Sequence, residues 1–245
     1  MAEYERMAGA QAVGARGAEA AQLDAGLRAH MNKVYTYLAG GLALAGAVAY
    51  GVGSNDALMA QIWGSGLKWV VIFAPLAMIF FLSFRIQKMS LGAAQATYWI
   101  FTAMMGLSMS VLLAVYDPMA IVKAFLITSI AFLSLSLYGY TTKRNLSGMG
   151  SFLMMGLIGL ILAMVVNWFL ASPALHFAIS VIGVLIFAGL TAYDTQRIKN
   201  EYLAYATAGA QGAAWLAKGA VMGALGLFLN FVNMMQFILS LMGNE

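Results

Sequence analysis

The sequence predicts an all-α membrane protein of seven transmembrane helices. Two observations carry that prediction. Hydrophobic residues make up 62% of the chain and charged residues only 9%, against about 25% charged in a soluble domain. A chain so poor in charge cannot cover a globule with polar surface, so lipid must be its solvent. The apolar residues also fall into seven runs of the length needed to cross a hydrocarbon core, about 20 residues for about 30 Å.

Residues 1–28 are rich in Ala, Gly, Glu and Arg. They hold no apolar core of signal-peptide type and read as an uncleaved, mobile tail ahead of a membrane domain covering 29–245. HMNKVYTYL leads into the first span, 34–53, with Tyr35 and Tyr37 suited to the interfacial belt. The second span, 67–85, contains Pro75, which neighbouring helices can accommodate in a bilayer. The third, fourth and fifth spans are 92–115, 118–139 and 150–171. The sixth, 174–196, carries Asp194 near its end. An Ala/Gly-rich connection, 197–216, reads as a loop or surface helix before the seventh span, 217–242. No internal repeat of the kind found in inverted-repeat transporters is visible.

Basic residues orient these spans. Arg6, Arg16, Arg28 and Lys33 precede the first, and Arg85 and Lys88 follow the second. Lys143 and Arg144 follow the fourth, and Arg197, Lys199 and Lys218 lie between the sixth and seventh. Only Lys68 and Lys123 stand on the other side. The positive-inside rule then places the N-terminus in the cytoplasm and the C-terminus outside. A six-span layout with a re-entrant seventh segment would return the C-terminus to the cytoplasm.

Little points to catalysis. There is no cysteine, hence no disulfide, thiolate site or Cys nucleophile. His30 and His176 fall on opposite sides of the membrane and form no HExxH pattern. GLSMS at 106–110 is not a nucleophile elbow. Lys218 sits at the entry of the seventh span rather than within it, which argues against a retinal Schiff base. With no phosphate-binding loop and no nucleophile–base pair, neither an enzyme, a cofactor nor a nucleic-acid partner is expected. The bilayer is the expected environment, and the oligomeric state is open.

Polar residues inside the apolar spans are the candidates. At about 100° per residue, Gly219, Gly223, Gly226, Asn230 and Asn233 share an arc of about 80° on the seventh span. Glycines permit close helix approach, and amides seek partners away from lipid. Asn230 reads either as inter-helix packing or as part of a site. Asp194 has two readings as well. It is an interfacial carboxylate balanced by Arg197 at i+3 and by Lys199, or a working group with a cationic or metal partner. Arg85, ending the second span on the same side, is a topologically allowed partner.

Five segments in this order, FRIQKMS, GLSMSVLLAVY, SLYGYTTKRNLSGMGSFLMMGLIGLI, GVLIFAGLTAYDTQRIKNEY and GALGLFLNFVN, resemble the bacterial branch of the Bax-inhibitor-like membrane family. The resemblance implies a seven-helix fold whose last helix is central and enclosed by the other six. It also implies a bacterial inner-membrane location and a pH-sensitive leak of Ca²⁺ down its gradient. In that picture an acid on the sixth span and one on the seventh form the ion-binding and pH-sensing pair, and a basic residue on the second span latches the closed state. Asp194 matches the first acid and is the candidate metal contact, and Arg85 is the match to the latch. The seventh span departs from the pattern: LFLNFVN stands where relatives usually read LYLDFIN, so the second acid is Asn230, and TKRNLS places Asn145 where many have Asp. Without two carboxylates the like-charge coupling of a diacid is lost. Ca²⁺, which prefers several oxygen ligands with carboxylate charge, should be held more weakly. Two functions follow as expectations: a cation leak with an altered Asp/Asn pair, or a non-transporting regulator that partners a membrane protease in membrane-protein quality control.

Overall fold

Each helix boundary has a local chemical cause. Asn55, Ser90 and Ser172 cap the helices that follow them by accepting from the backbone N–H three residues on. Asp117 accepts from Met119 N–H, and Pro118 and Pro173 occupy first-turn positions where no N–H is needed. One long helix ends with Ala171 in the left-handed region, φ 46°, and Asn167 Oδ1 accepts from Ser172 N–H to close that turn. The computed structural model describes residues 2–243, with side chains from residue 21 onward.

The helices in chain order are α1 (Ala2–Gly53), α2 (Asp56–Trp63), α3 (Leu67–Arg85), α4 (Leu91–Met109), α5 (Leu112–Val115), α6 (Pro118–Thr141), α7 (Ser147–Leu170), α8 (Pro173–Tyr205) and α9 (Gly209–Met242). Among the described residues there is no strand. Seven helical segments are long and apolar enough to cross a membrane, one for each predicted span. Pro75 is buried within an unbroken α3.

Two boundaries differ from the sequence reading. Residues 2–28, read as a tail, continue as the N-terminal part of α1, in keeping with the helix propensity of Ala, Glu, Gln and Arg. Leu27, Met31, Val34 and Leu38 are buried at helical spacing, so the packed domain begins slightly before residue 29. Of the two readings for 197–216, loop or surface helix, the helical one holds outside a turn at 206–208, but the segment extends the sixth and seventh spans rather than forming a separate helix. α8 runs to Tyr205 and α9 starts at Gly209, which adopts φ +61°. The Ala-rich segment favours helix, and buried Gly212 and Leu216 attach it to the bundle.

α9 is the most buried span: 56% of its most apolar window is enclosed, against 11–39% for the others. It packs most extensively on α8, then on α1, α6 and α4. α3 packs mainly on α4, and α7 mainly on α8. Four helices, rather than six, therefore press closely on α9. Glycines set two of the tightest crossings. A side chain at Gly106 would run into the backbone at Ala45 of α1, and one at Gly139 into the backbone at Ala192 of α8.

Candidate functional site

The buried hydroxyls of α8 satisfy themselves. Thr191 and Thr195 each donate to the carbonyl one turn back, at 2.8 Å. A carboxylate only accepts and has no such option within its helix. Asp194 is 8% exposed and Asn230 5%. Asn230 Nδ2–H donates to Asp194 Oδ2 at 2.7 Å across the α8–α9 contact. Asp194 Oδ1 meets Arg197 Nη2 at 3.0 Å. Both carboxylate oxygens are thus partnered, one by a buried amide and one by a half-exposed guanidinium.

Arg197 has further partners. Its Nε lies 3.7 Å from Glu201 Oε1, and its guanidinium lies 5.8 Å from the centre of the Tyr193 ring. Residues 194, 197 and 201 form a ladder on one face of α8. Gly226 lies opposite. A side chain there would begin 3.7 Å from Arg197 Nη2 and 3.8 Å from Asp194 Oδ2, so glycine leaves the space over the carboxylate open. That space belongs to a cavity of about 610 Å³ walled by four helices, including Ser83 of α3, Met164 of α7, Asp194 and Arg197 of α8, and Asn230 and Asn233 of α9. α3 and α7 stand across this cavity from α9.

The structure brings Asp194 and Asn230 together but not Arg85. Arg85 is exposed and lies outside the cavity wall. The cation on Asp194 is Arg197, which shares its helix and reaches it within one turn, whereas α3 is set apart by the cavity. The glycine arc also divides. Gly223 packs closely on Ile198 of α8, while a side chain at Gly219 would meet nothing within 4 Å, so Gly219 makes no close helix contact. Gly226 faces the carboxylate rather than a helix. Asn233 donates to Leu229 O of its own helix at 2.8 Å. Lys199 turns away from Asp194 and donates to Tyr140 O at 2.7 Å.

Several supporting residues were not singled out from the sequence. Gln196 donates to Arg144 O and accepts from Leu146 N–H, both at 2.8 Å, clamping the α6–α7 turn onto α8. Ser136 of α6 bonds Thr195 of α8 at 3.0 Å and also Tyr35 of α1. These contacts tie α8 to α6 and to the α6–α7 turn. A polar residue two positions from Asp194, on another helical face, was the available signal. Asn145 has a local task, accepting from Ser147 N–H at 2.9 Å. His30 packs against Tyr202 with ring centres 5.2 Å apart and planes tilted by 37°, and His176 bonds Ser240. Among the described residues, no three His, Cys, Asp or Glu side chains converge as a metal site. A cation entering the cavity would find Asp194 as the wall carboxylate, with amide and hydroxyl oxygens beside it.

Comparison with known proteins agrees with this architecture. The family model described as "Inhibitor of apoptosis-promoting Bax1" matches residues 27–245. The chain is 40% identical over 225 residues to the inner membrane protein YbhL of Escherichia coli, covering 91% of this chain and 95% of YbhL. It is 44% identical over 232 residues to an uncharacterized protein of Caulobacter vibrioides, covering 91% of each. It is 41% identical over 224 residues to the uncharacterized protein RP147 of Rickettsia prowazekii, covering 91% and 92% respectively. A family match over nearly the whole packed domain, inner-membrane kinship and seven spanning helices place this chain in the Bax-inhibitor-like family as a multi-pass inner-membrane protein.

Proposed function

We propose that the protein is a passive cation leak, with Ca²⁺ as its ion, held closed around Asp194. The observation that carries this reading is the buried Asp194–Asn230 pair, 2.7 Å apart, on the wall of a cavity of about 610 Å³ in the membrane domain. A buried carboxylate facing a cavity inside a membrane protein is costly and is the usual mark of an ion pathway. A cation arriving there must compete with Arg197, which lies 3.0 Å from Asp194 and within 3.7 Å of Glu201. Movement of the half-exposed guanidinium toward Glu201 would release Asp194 to the cation. The closing group in this reading is therefore Arg197, not Arg85. With one wall carboxylate, Ca²⁺ is held weakly, which suits transit rather than storage. The reading includes no catalytic step and no bound cofactor.

The distribution of basic residues supports a cytoplasmic position for the Asp194 end of the bundle and for the N-terminus. Lys199, Lys218, Arg144 and Gln87 all take part in hydrogen bonds at that end.

Liposome flux tests the proposal. Purified protein should release Ca²⁺ from loaded liposomes, and Asp194→Asn should alter the rate. No flux at any pH would sink the leak. The chain would then be read as a non-transporting regulator, and crosslinking in native membranes would seek the membrane protease expected as its partner.

A further inference from the structure

We propose that Phe237 and Met164 form an apolar plug between two cavities that each carry polar side chains, and that this plug closes the pathway from the end opposite Asp194. The second cavity, of about 550 Å³, lies toward the other end of α8 and α9. Its wall includes Asn167 of α7, His176 and Ser180 of α8, and Gln236 and Ser240 of α9. These groups are linked: His176 Nε2 and Ser240 Oγ are 2.7 Å apart, and Ser180 Oγ and Ser240 Oγ 3.1 Å.

The two cavities have three wall residues in common, Met164, Asn233 and Phe237. Along α9 their walls reach from Met222 to Ser240, a rise of about 27 Å at 1.5 Å per residue. That nearly equals the hydrocarbon thickness of about 30 Å. Polar side chains thus lie toward both ends of one track along α9, and where the two cavities adjoin, nearer the Ser240 end, their common wall holds a ring and a thioether. Phe237 is seated in the cleft opened by Gly183: a side chain at Gly183 would begin 2.6 Å from the Phe237 ring. The ring stacks on Phe187 with centres 6.0 Å apart and planes 26° from parallel. Met164 of α7 belongs to the wall of both cavities and is 43% exposed. Asn233, the polar residue at the junction, directs its amide donor to its own helix. An apolar constriction between hydrated vestibules blocks ions by dewetting, without any charge on the blocking group.

Phe237 could instead be ordinary packing between α8 and α9. The two assignments differ in what removing the ring connects. The physiological meaning of the plug rests on the leak reading, but its test measures accessibility rather than flux, so the two can fail separately.

The chain contains no cysteine, so single introduced cysteines report cleanly. Gly226→Cys places a thiol in the Asp194 cavity, where the glycine has room for one. His176→Cys marks the opposite face and identifies which side of oriented inner-membrane vesicles it occupies. A membrane-impermeant trimethylammonium methanethiosulfonate is then applied from that face. Gly226→Cys should react slowly when Phe237 is present. Phe237→Ala should raise its rate at least about tenfold, as expected when a dewetted constriction fills with water, and Met164→Ala should raise it less. Equal Gly226→Cys rates with and without the ring, whether fast or slow, overturn the plug, provided that His176→Cys reacts. Should Phe237→Ala fail to purify as a monodisperse folded protein, Phe237→Leu gives the same comparison with a shorter plug and must show an intermediate rate.

Discussion

Replacing Asn230 by leucine removes the donor facing Asp194 Oδ2 and leaves a buried acceptor unpaired. The size of the effect can be bracketed from the geometry. Hydrogen bonds to charged groups contribute about 1.5–3 kcal/mol in soluble proteins. Inter-helix hydrogen bonds in membranes average about 0.6 kcal/mol and reach about 1.7 kcal/mol, because the unfolded chain in the bilayer also finds partners. The pair here is 2.7 Å long with both residues buried, which places it at the upper end of the membrane range. The Arg197 contact adds little, because its guanidinium side chain is 44% exposed and such pairs contribute about 0–1 kcal/mol. A double-mutant cycle of Asn230→Leu and Asp194→Leu isolates the bond from the cost of each stranded partner. Its coupling energy should be about 1.5 kcal/mol. Reversible unfolding by SDS titration, followed by loss of helical circular dichroism, measures it. A coupling energy below about 0.5 kcal/mol, no larger than an ordinary inter-helix bond, would refute the view that this pair ties α8 to α9.

Arg85→Ala should leave Ca²⁺ flux and unfolding unchanged, whereas Arg197→Ala should raise flux and Glu201→Gln lower it; the same liposome assay reads all three, and an effect confined to Arg85 would restore the second-span latch. Gly219→Leu should be tolerated because nothing lies within 4 Å of its side-chain position. Gly223→Leu, aimed at Ile198, should cost about 1–3 kcal/mol by overpacking, measured by the same SDS titration. Asn230→Asp sets a second carboxyl where the amide now sits, 2.7 Å from Asp194. Two carboxylates at that spacing share one proton. Flux should therefore acquire a stronger pH dependence, which Asp194→Asn in the same background should remove; unchanged profiles in both would discard proton sharing at this site.

The helices were legible because their driving pattern is local. Seven apolar runs of spanning length need no tertiary information to be recognised. The boundaries that differed are those where packing extends a helix past its apolar run. Residues 197–205 carry Arg197, Lys199, Asn200 and Glu201 and form no continuous apolar run, yet Ile198 is 2% exposed and Lys199 is tied to α6. Tertiary contact therefore carries α8 two turns beyond the predicted end. Gly219 illustrates the opposite failure. Its GxxxG spacing with Gly223 is real, but of the two glycines only Gly223 lies close against another helix. A spacing rule supplies a face, and the neighbouring helix decides which part of that face is used.

The site was legible in part for a more general reason. Asp194 and Asn230 lie 36 residues apart; the inward arc of the seventh span pointed to an enclosed amide, and the family resemblance implied its pairing with Asp194. Their meeting could be stated as geometry once α8 and α9 were seen side by side. Arg197 was visible as an i+3 partner and was assigned to the unremarkable alternative of an interfacial anchor. In the proposed leak the anchor and the working group are one arrangement. The Asn230 bond holds α8 against α9, and the carboxylate it fixes faces the cavity with Arg197 already in place. In the proposed leak a cation must therefore displace an intramolecular partner before it can bind. Loss of the second acid does not by itself empty the site of function, because it replaces competition for a proton by competition with a guanidinium.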